Sequence, residues 1–275
     1  MEATAEAKVA WRSCVTTSRQ ARSQEEEVAR ALAAELGVPF EPRRQSLDHW
    51  LAGGQYEAVL VVNREHLTLW VARAGRQPER LFFHPSTSVQ RVKGLLRGGS
   101  DPMVRAMGLE PGMSVLDATV GVGSDAIVAS FVVGPQGRVV GLESVRELAA
   151  LTRWGMAHYQ GPIPAVEEAM RRIEILHTDH GSFLAQAEAK SFDVIYFDPM
   201  FRDPVAQSAP MAPWRLLADP RPVTPEVIAQ ARRVARRRVV LKERKGSPVF
   251  EELGAQHVEG RRSGRVAYGI WEALP

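Results

Sequence analysis

The 275-residue chain has a single cysteine, Cys14, and no second one to pair with it. An internal disulfide framework and a cysteine-based zinc cluster are therefore excluded, as befits a reducing compartment. Cys14 lies in a strand-like run and reads as a packing residue. Long apolar runs are missing too: 126–133, the longest beside a helical pattern, is far shorter than the roughly 20 residues of a membrane span. Residues 1–8 lack the basic and apolar regions of a signal peptide, so a soluble, cytoplasmic protein is expected. No repeat or low-complexity tract is evident. With 45% hydrophobic and 24% charged residues the composition is that of a folded chain.

Acidic residues are scarce in one region. From Arg221 to Arg265 there is no Asp, and 12 Arg and Lys stand against 5 Glu, within a whole-chain net charge of +3. The basic surface thus lies in the C-terminal third, and the sequence pI near 9.2 permits an anionic partner without demanding one. Arg232, Arg233, Arg236, Arg237 and Arg238 cluster beside a predicted strand. They divide evenly between a solvated edge and phosphate contacts.

What is present is an alternation of periods. Runs at 8–16, 56–62 and 66–71 have strand character, the last two flanking a hairpin turn at Asn63-Arg64-Glu65. Residues 23–36 carry apolar positions at helical spacing, acids at 25–27 in the first turn and Gly37 as a stop. Residues 88–96 predict a basic helix ended by Gly98-Gly99, and Ser100-Asp101-Pro102 starts another. From Ser114 onward, strands are predicted at 114–118, 138–143, 172–177, 192–197, 237–242, 255–259 and 265–272, and helices at 124–133, 144–159, 163–171, 180–189 and 224–235. This order predicts a mainly parallel sheet covered on both faces, with one antiparallel strand at the edge. Two domains are expected: a small N-terminal α/β domain over 1–100 and a larger one over 101–275. The segment 202–223, with five prolines and no clean period, reads as a long functional loop.

Two loops carry the chemistry. In Asp117-Ala118-Thr119-Val120-Gly121-Val122-Gly123-Ser124-Asp125-Ala126 a strand breaks into glycines and resumes as a helix, so that backbone N–H groups face a ligand. Taken alone, the loop also fits a dinucleotide fingerprint. Asp117 repels a pyrophosphate and suits an ammonium group, and Glu143, ending the next strand, suits the two hydroxyls of a ribose. An ammonium, a ribose and no phosphate describe S-adenosylmethionine, which is favoured over NAD. Asp179 has two readings of equal weight, an acceptor for the adenine amino group and a helix N-cap. His177 and His180 lack a third ligand at suitable spacing, so no metal is expected.

The second loop, Asp198-Pro199-Met200-Phe201, closes the apolar run 192–197 at the carboxyl end of a strand, where open α/β sheets bind ligands. Asp198 can accept an N–H of an amine and orient its lone pair, Pro199 stiffens the turn, and Phe201 can stack on a base. These three are the candidate catalytic residues. The bland alternative makes Asp198 a turn cap and Phe201 a core plug. Lys242, ending the next strand, reads equally as a phosphate or base contact and as a surface lysine.

Residues 117–119 and 123–126, Leu142-Glu143, 177–180, 193–201 and 238–242 together resemble the RsmJ-type small-subunit ribosomal RNA guanine-N2 methyltransferases. The match covers roughly 84–272 and includes the basic stretch from Lys93 to Gly99; Met200 is its most specific residue. The resemblance implies a Rossmann-like class I methyltransferase with a seven-stranded sheet. It implies S-adenosylmethionine held by Ser124, Asp125, Glu143, Ser144, Asp179, His180 and Asp198, beside Asp117, Gly121 and Gly123 from the residue reading. Met200, Phe201, Lys242, Lys93 and Arg97 are then the substrate-binding candidates, and ribosomal RNA or the small ribosomal subunit the expected partner. Ser124 and Ser144 stand where the family usually has Arg, and Arg202-Asp203 where it has Pro-His. Other acceptors considered are another RNA, DNA or a small-molecule amine; an NAD-linked oxidoreductase and an inactive RNA-binding module are the remaining alternatives.

Overall fold

The computed structural model describes residues 11–73, 75–200, 217, 219 and 221–275, so Phe201 and most of the 202–223 segment lie outside the described residues. Two units emerge: one holds 11–73, 75–84 and 145–158 with Leu217 and Asp219, the other 85–144, 159–200 and 221–275. This grouping differs from the expected boundary at residue 100 at two places. The basic helix after His84 belongs to the larger unit, and a helix from the middle of the chain belongs to the smaller one.

The smaller unit is a four-stranded sheet in the order β1 (Ser13–Thr17), β2 (Ala58–Val62), β3 (Leu67–Val71), β4 (Glu79–Phe82). β1 and β2 are parallel, and β2, β3 and β4 form antiparallel hairpins. The turn at Asn63 is closed by its N–H donating to the His66 carbonyl at 3.0 Å. Helix α1 (Ser23–Leu36) ends as expected, because Gly37 takes the left-handed conformation, φ 63°, that ends a helix without a Cβ penalty. A short α2 (Leu47–Ala52) follows it. Cys14 is fully buried, and burial pushes its thiol up to about 12, which fits packing rather than reactivity.

In the larger unit the helices are α3 (Ser86–Leu96), α4 (Pro102–Met107), α5 (Ser124–Val133), α7 (Pro164–Arg171) and α8 (His180–Gln186), followed by α9 (Pro225–Val234) and α10 (Val249–Glu252). The intervening α6 (Arg146–His158) belongs to the smaller unit, where Leu148, Ala150 and Leu151 join Leu60, Leu69 and Leu81 in one apolar cluster. Buried Glu147 accepts there from the Ser13 hydroxyl at 2.6 Å and from Arg146 at 2.8 Å.

The larger sheet has the strands β5 (Ser114–Asp117), β6 (Arg138–Glu143), β7 (Ile173–His177), β8 (Phe192–Phe197), β9 (Ala235–Arg244), β10 (His257–Glu259) and β11 (Val266–Glu272). Their order is β10-β11-β9-β8-β5-β6-β7, parallel from β9 through β7. β11 is antiparallel to both neighbours, so the reversed strand lies one place in from the edge, with β10 outside it. The pleat gives each strand two faces. On one, Leu116, Leu142, Ile195, Phe197, Val239 and Leu241 pack with Leu184 of α8 and Ile228, Ala231 and Val234 of α9. The other face carries α5, against which α3, α4 and α7 pack. No described helix is long and apolar enough to cross a membrane.

Candidate active site

The chain order reverses between β5 and β8, and their carboxyl ends lie side by side at that switch point, with Asp117 paired to Tyr196 in register. Asp117 is 2% exposed and accepts from the Thr119 N–H at 3.2 Å. Burial, and then the neighbouring Asp125 and Asp198, push its carboxyl well above the ordinary range. The loop after it turns through Gly121 (φ 51°) and Gly123 (φ 75°), with Gly123 as the left-handed N-cap of α5 and Ser124 as its first residue. A Cβ on Gly121 would meet no atom within 4 Å, so packing does not demand glycine there; the positive φ does.

The next two strand ends follow the same plan. Glu143, 8% exposed, ends β6 and is followed by half-buried Ser144. Asp179 is the N-cap of α8 and accepts from Ser182 through its N–H at 3.0 Å and its hydroxyl at 2.6 Å. Of the two readings of Asp179 the capping one is thus realised in the fold. Half-buried His180 sets its ring edge-on to Phe197 at 5.7 Å.

At the end of β8 the Asp198 N–H donates to the Thr119 hydroxyl at 2.6 Å, tying the two loops together. The Asp198 side chain is 29% exposed and accepts from Lys242 at 2.6 Å. Burial and Asp125 raise its carboxyl while Lys242 opposes them, leaving it up at about 6. Pro199 is half-buried and Met200 40% exposed. Lys242 is therefore part-buried between Asp125 and Asp198 and not a strand-end surface lysine.

The pleat explains this arrangement. Asp117, Tyr196, Lys242 and Tyr268 share one face of the sheet, since Asp117 pairs with Tyr196 and Lys242 with Tyr268 across register. Asp125 of α5 comes down onto that face. One of its oxygens meets Arg91 of α3; the other accepts from the Tyr196 hydroxyl at 2.6 Å and from Lys242 at 3.1 Å. Asp125, expected among the cofactor groups, has both oxygens engaged in this network. Its two cations hold its carboxyl well below the ordinary range against the opposing effect of burial.

Arg91 also forks onto Asp101 at 2.8 and 2.9 Å, and Asp101 caps α4 through the Met103 and Val104 N–H groups. Lys93 and Arg97, expected at the substrate, lie elsewhere on α3: Lys93 is half-buried and Arg97 exposed at the helix end. Helical spacing places Arg91 beside the inward-facing Ser88 and Val92, so it is the basic residue of α3 that reaches the carboxylates. Arg91 was missed because nothing local distinguishes it from its basic neighbours. A cavity of 430 Å³ opens beside the network, lined among others by Arg91, Asp125, Lys242, Arg261 and Tyr268.

The arginine cluster is displaced from all of this. Arg236, Arg237 and Arg238 begin β9, whereas Lys242 is near its carboxyl end. Arg237 pairs with Glu110, Arg232 donates to the Glu272 carbonyl, and Arg233 donates to the carbonyls of Leu184 and Ala187. These arginines fasten helix and strand ends at the opposite end of the strands from the site.

A mainly parallel sheet of this order, with a glycine turn after β5 and acids ending β5, β6 and β8, defines a class I methyltransferase. Residues 44–268 match the family described as putative SAM-dependent methyltransferases. The chain is 38% identical over 262 residues to the uncharacterized protein YpiP of Bacillus subtilis, across 95% of this chain and 100% of that one. It is 31% identical over 253 residues to the ribosomal RNA small subunit methyltransferase J of Halorhodospira halophila, across 89% of each. In fold it is similar to a SAM-dependent methyltransferase from Neisseria gonorrhoeae, with TM-score 0.59 at 18% identity over 94% of this chain and 95% of that one. The chain belongs to the RsmJ-type family of class I methyltransferases; it is an enzyme, and S-adenosylmethionine is its cofactor. The nicotinamide reading of the glycine loop is set aside with it. The residues present fit this cofactor: a buried carboxylate for an ammonium, open space at Gly121 where a ligand can approach the backbone, and a second buried acid for a ribose.

Proposed function

We propose that the enzyme methylates the exocyclic N2 amine of a guanine in small-subunit ribosomal RNA. The observation that carries the amine is the placement of Asp198, at the switch point and beside Asp117, with one oxygen held by Lys242. Asp117, the backbone from Gly121 to Ser124, Glu143 and Ser144 hold the cofactor in this reading, with Asp179 and His180 at the adenine end. When bound, S-adenosylmethionine supplies an electrophilic methyl on a sulfonium and leaves as a neutral thioether. The protein aligns the reactants and stabilises the changing charge. An exocyclic guanine amine is a weak nucleophile because its lone pair is delocalised into the ring. A carboxylate oxygen of Asp198, with the Pro199 carbonyl, accepts its N–H groups and directs the lone pair at the methyl.

Met200 and Phe201 meet the base, which must be unpaired or flipped to enter. Support for an RNA acceptor comes from the relatives named as ribosomal RNA methyltransferases and from the charge at this end of the sheet. Arg244, Lys245, Arg261 and Arg262 are exposed around the end of β9 and the β10–β11 loop, on the site's side. Such an enzyme acts in the cytoplasm. Labelled cofactor offered with small-subunit particles and total RNA tests the reading: label is expected in a guanine of the small-subunit RNA and is expected to vanish with Asp198→Ala, which retains much of its S-adenosylhomocysteine affinity. Label in DNA, in another RNA or in a small amine instead, or unchanged turnover by Asp198→Ala, refutes it.

A further inference from the structure

The ion network behind Asp198 is larger than cofactor binding requires. Asp101, Arg91, Asp125, Lys242 and Asp198 form a chain of alternating charge drawn from α4, α3, α5, β9 and the end of β8. Stability alone does not call for it, because buried ion pairs can often be replaced by apolar side chains at no loss. Its far end is braced: Arg91 forks onto Asp101, and the Tyr196 hydroxyl holds Asp125. Its near end is an ammonium group 2.6 Å from one oxygen of Asp198.

We propose that Lys242 is a positioning residue of the methyl transfer: on a support fixed by Asp125, Arg91 and Tyr196 it binds one carboxylate oxygen of Asp198, leaves the other for the acceptor amine, and keeps Asp198 ionised. The inference rests on the amine-transfer reading above. Once the amine nitrogen has bonded to the methyl carbon it carries one proton too many, and that proton passes to the free oxygen of Asp198. A protonated Asp198 cannot take it. The groups facing Asp198 are Lys242 from β9, Asp117 from β5, Asp125 from α5 and Tyr196 from its own strand, with Tyr268 of β11 and Arg91 of α3 behind them. Burial and the neighbouring acids favour the protonated form, and Lys242 opposes them.

Two measurements on the full-length protein test this. The first is the titration of the Asp198 carboxyl by carbon NMR in the absence of substrate, assigned with Asp198→Asn. The second is the pH profile of transfer to small-subunit particles from labelled cofactor. In Lys242→Met the Asp198 midpoint is expected to rise by about two pH units, so that transfer at pH 7 falls about tenfold and recovers toward pH 9; Lys242→Arg restores the native midpoint. Arg91→Met, which acts through Asp125, gives a smaller shift of the same sign and serves if Lys242→Met does not fold. An unchanged midpoint, or a loss of rate equal at every pH, overturns the proposal. A native enzyme that labels no amine overturns the amine reading instead, and the substrate-free titration tells the two failures apart.

Discussion

Replacing Asp198 with Asn should make the enzyme more stable while abolishing transfer. The Asp198 carboxyl is raised from an ordinary 3.8 to about 6. Below pH 3.8 the folded and unfolded chains both hold the proton and the group contributes nothing. Between pH 3.8 and 6 the unfolded chain gives up the proton while the folded one keeps it, so native stability falls as pH rises through this window. At about 1.4 kcal/mol for each pH unit, the cost of the ionised carboxylate reaches about 3 kcal/mol above pH 6. Asn cannot ionise, yet its carbonyl still accepts from Lys242. The ammonium loses a charged partner at 2.6 Å and keeps Asp125 at 3.1 Å. The attraction of Lys242 is already contained in the net shift, so Asp198→Asn is expected to equal the native enzyme near pH 4 and to be about 3 kcal/mol more stable than it at pH 7. Hydrogen exchange of β5 and β8 amides reports the stability of this sheet directly. A variant less stable than native at pH 7, or one equally stabilised at both pH values, would refute the electrostatic account of the site. The confirming result would mark Asp198 as a residue kept for function at the expense of stability.

Two other outcomes follow from the same network. Burial raises the Asp117 carboxyl well above the ordinary range and an ammonium beside it favours the ionised form, so S-adenosylhomocysteine binding is expected to release protons, up to one, measured by calorimetry in buffers of different ionisation enthalpy; proton uptake contradicts the role of Asp117. Tyr196→Phe removes a buried hydroxyl from Asp125 and is expected to cost about 1–3 kcal/mol. A urea denaturation midpoint within error of native shows that the Tyr196 hydroxyl does not brace the network.

Much of the fold is legible locally. α1, α5, β6 and β8 fall within their expected bounds because each is an amphipathic or continuously apolar run closed by a glycine or an acid. β4 was missed because Leu81 is the one buried side chain in Glu-Arg-Leu-Phe, and α2 because six residues are too few to display a period. α6 was expected correctly as a helix. Its place in the smaller unit depends on Val15, Leu60 and Leu69, which are distant in sequence.

The sequence by itself determined the glycine turn and the acids at the ends of β5, β6 and β8, because a strand end followed by glycine, acid or proline is a local pattern. It also carried the family, and with it the cofactor. Tertiary structure alone decided which charges meet. Asp125 reaches Arg91 across 34 positions and Lys242 across 117, and Lys242 reaches Asp198 across 44. Strand order and pleat brought those side chains to one face and sent the conspicuous arginines of 232–238 to the opposite end of the sheet. Coulomb attraction between such groups depends on separation and burial, and neither is written in the spacing of residues along the chain.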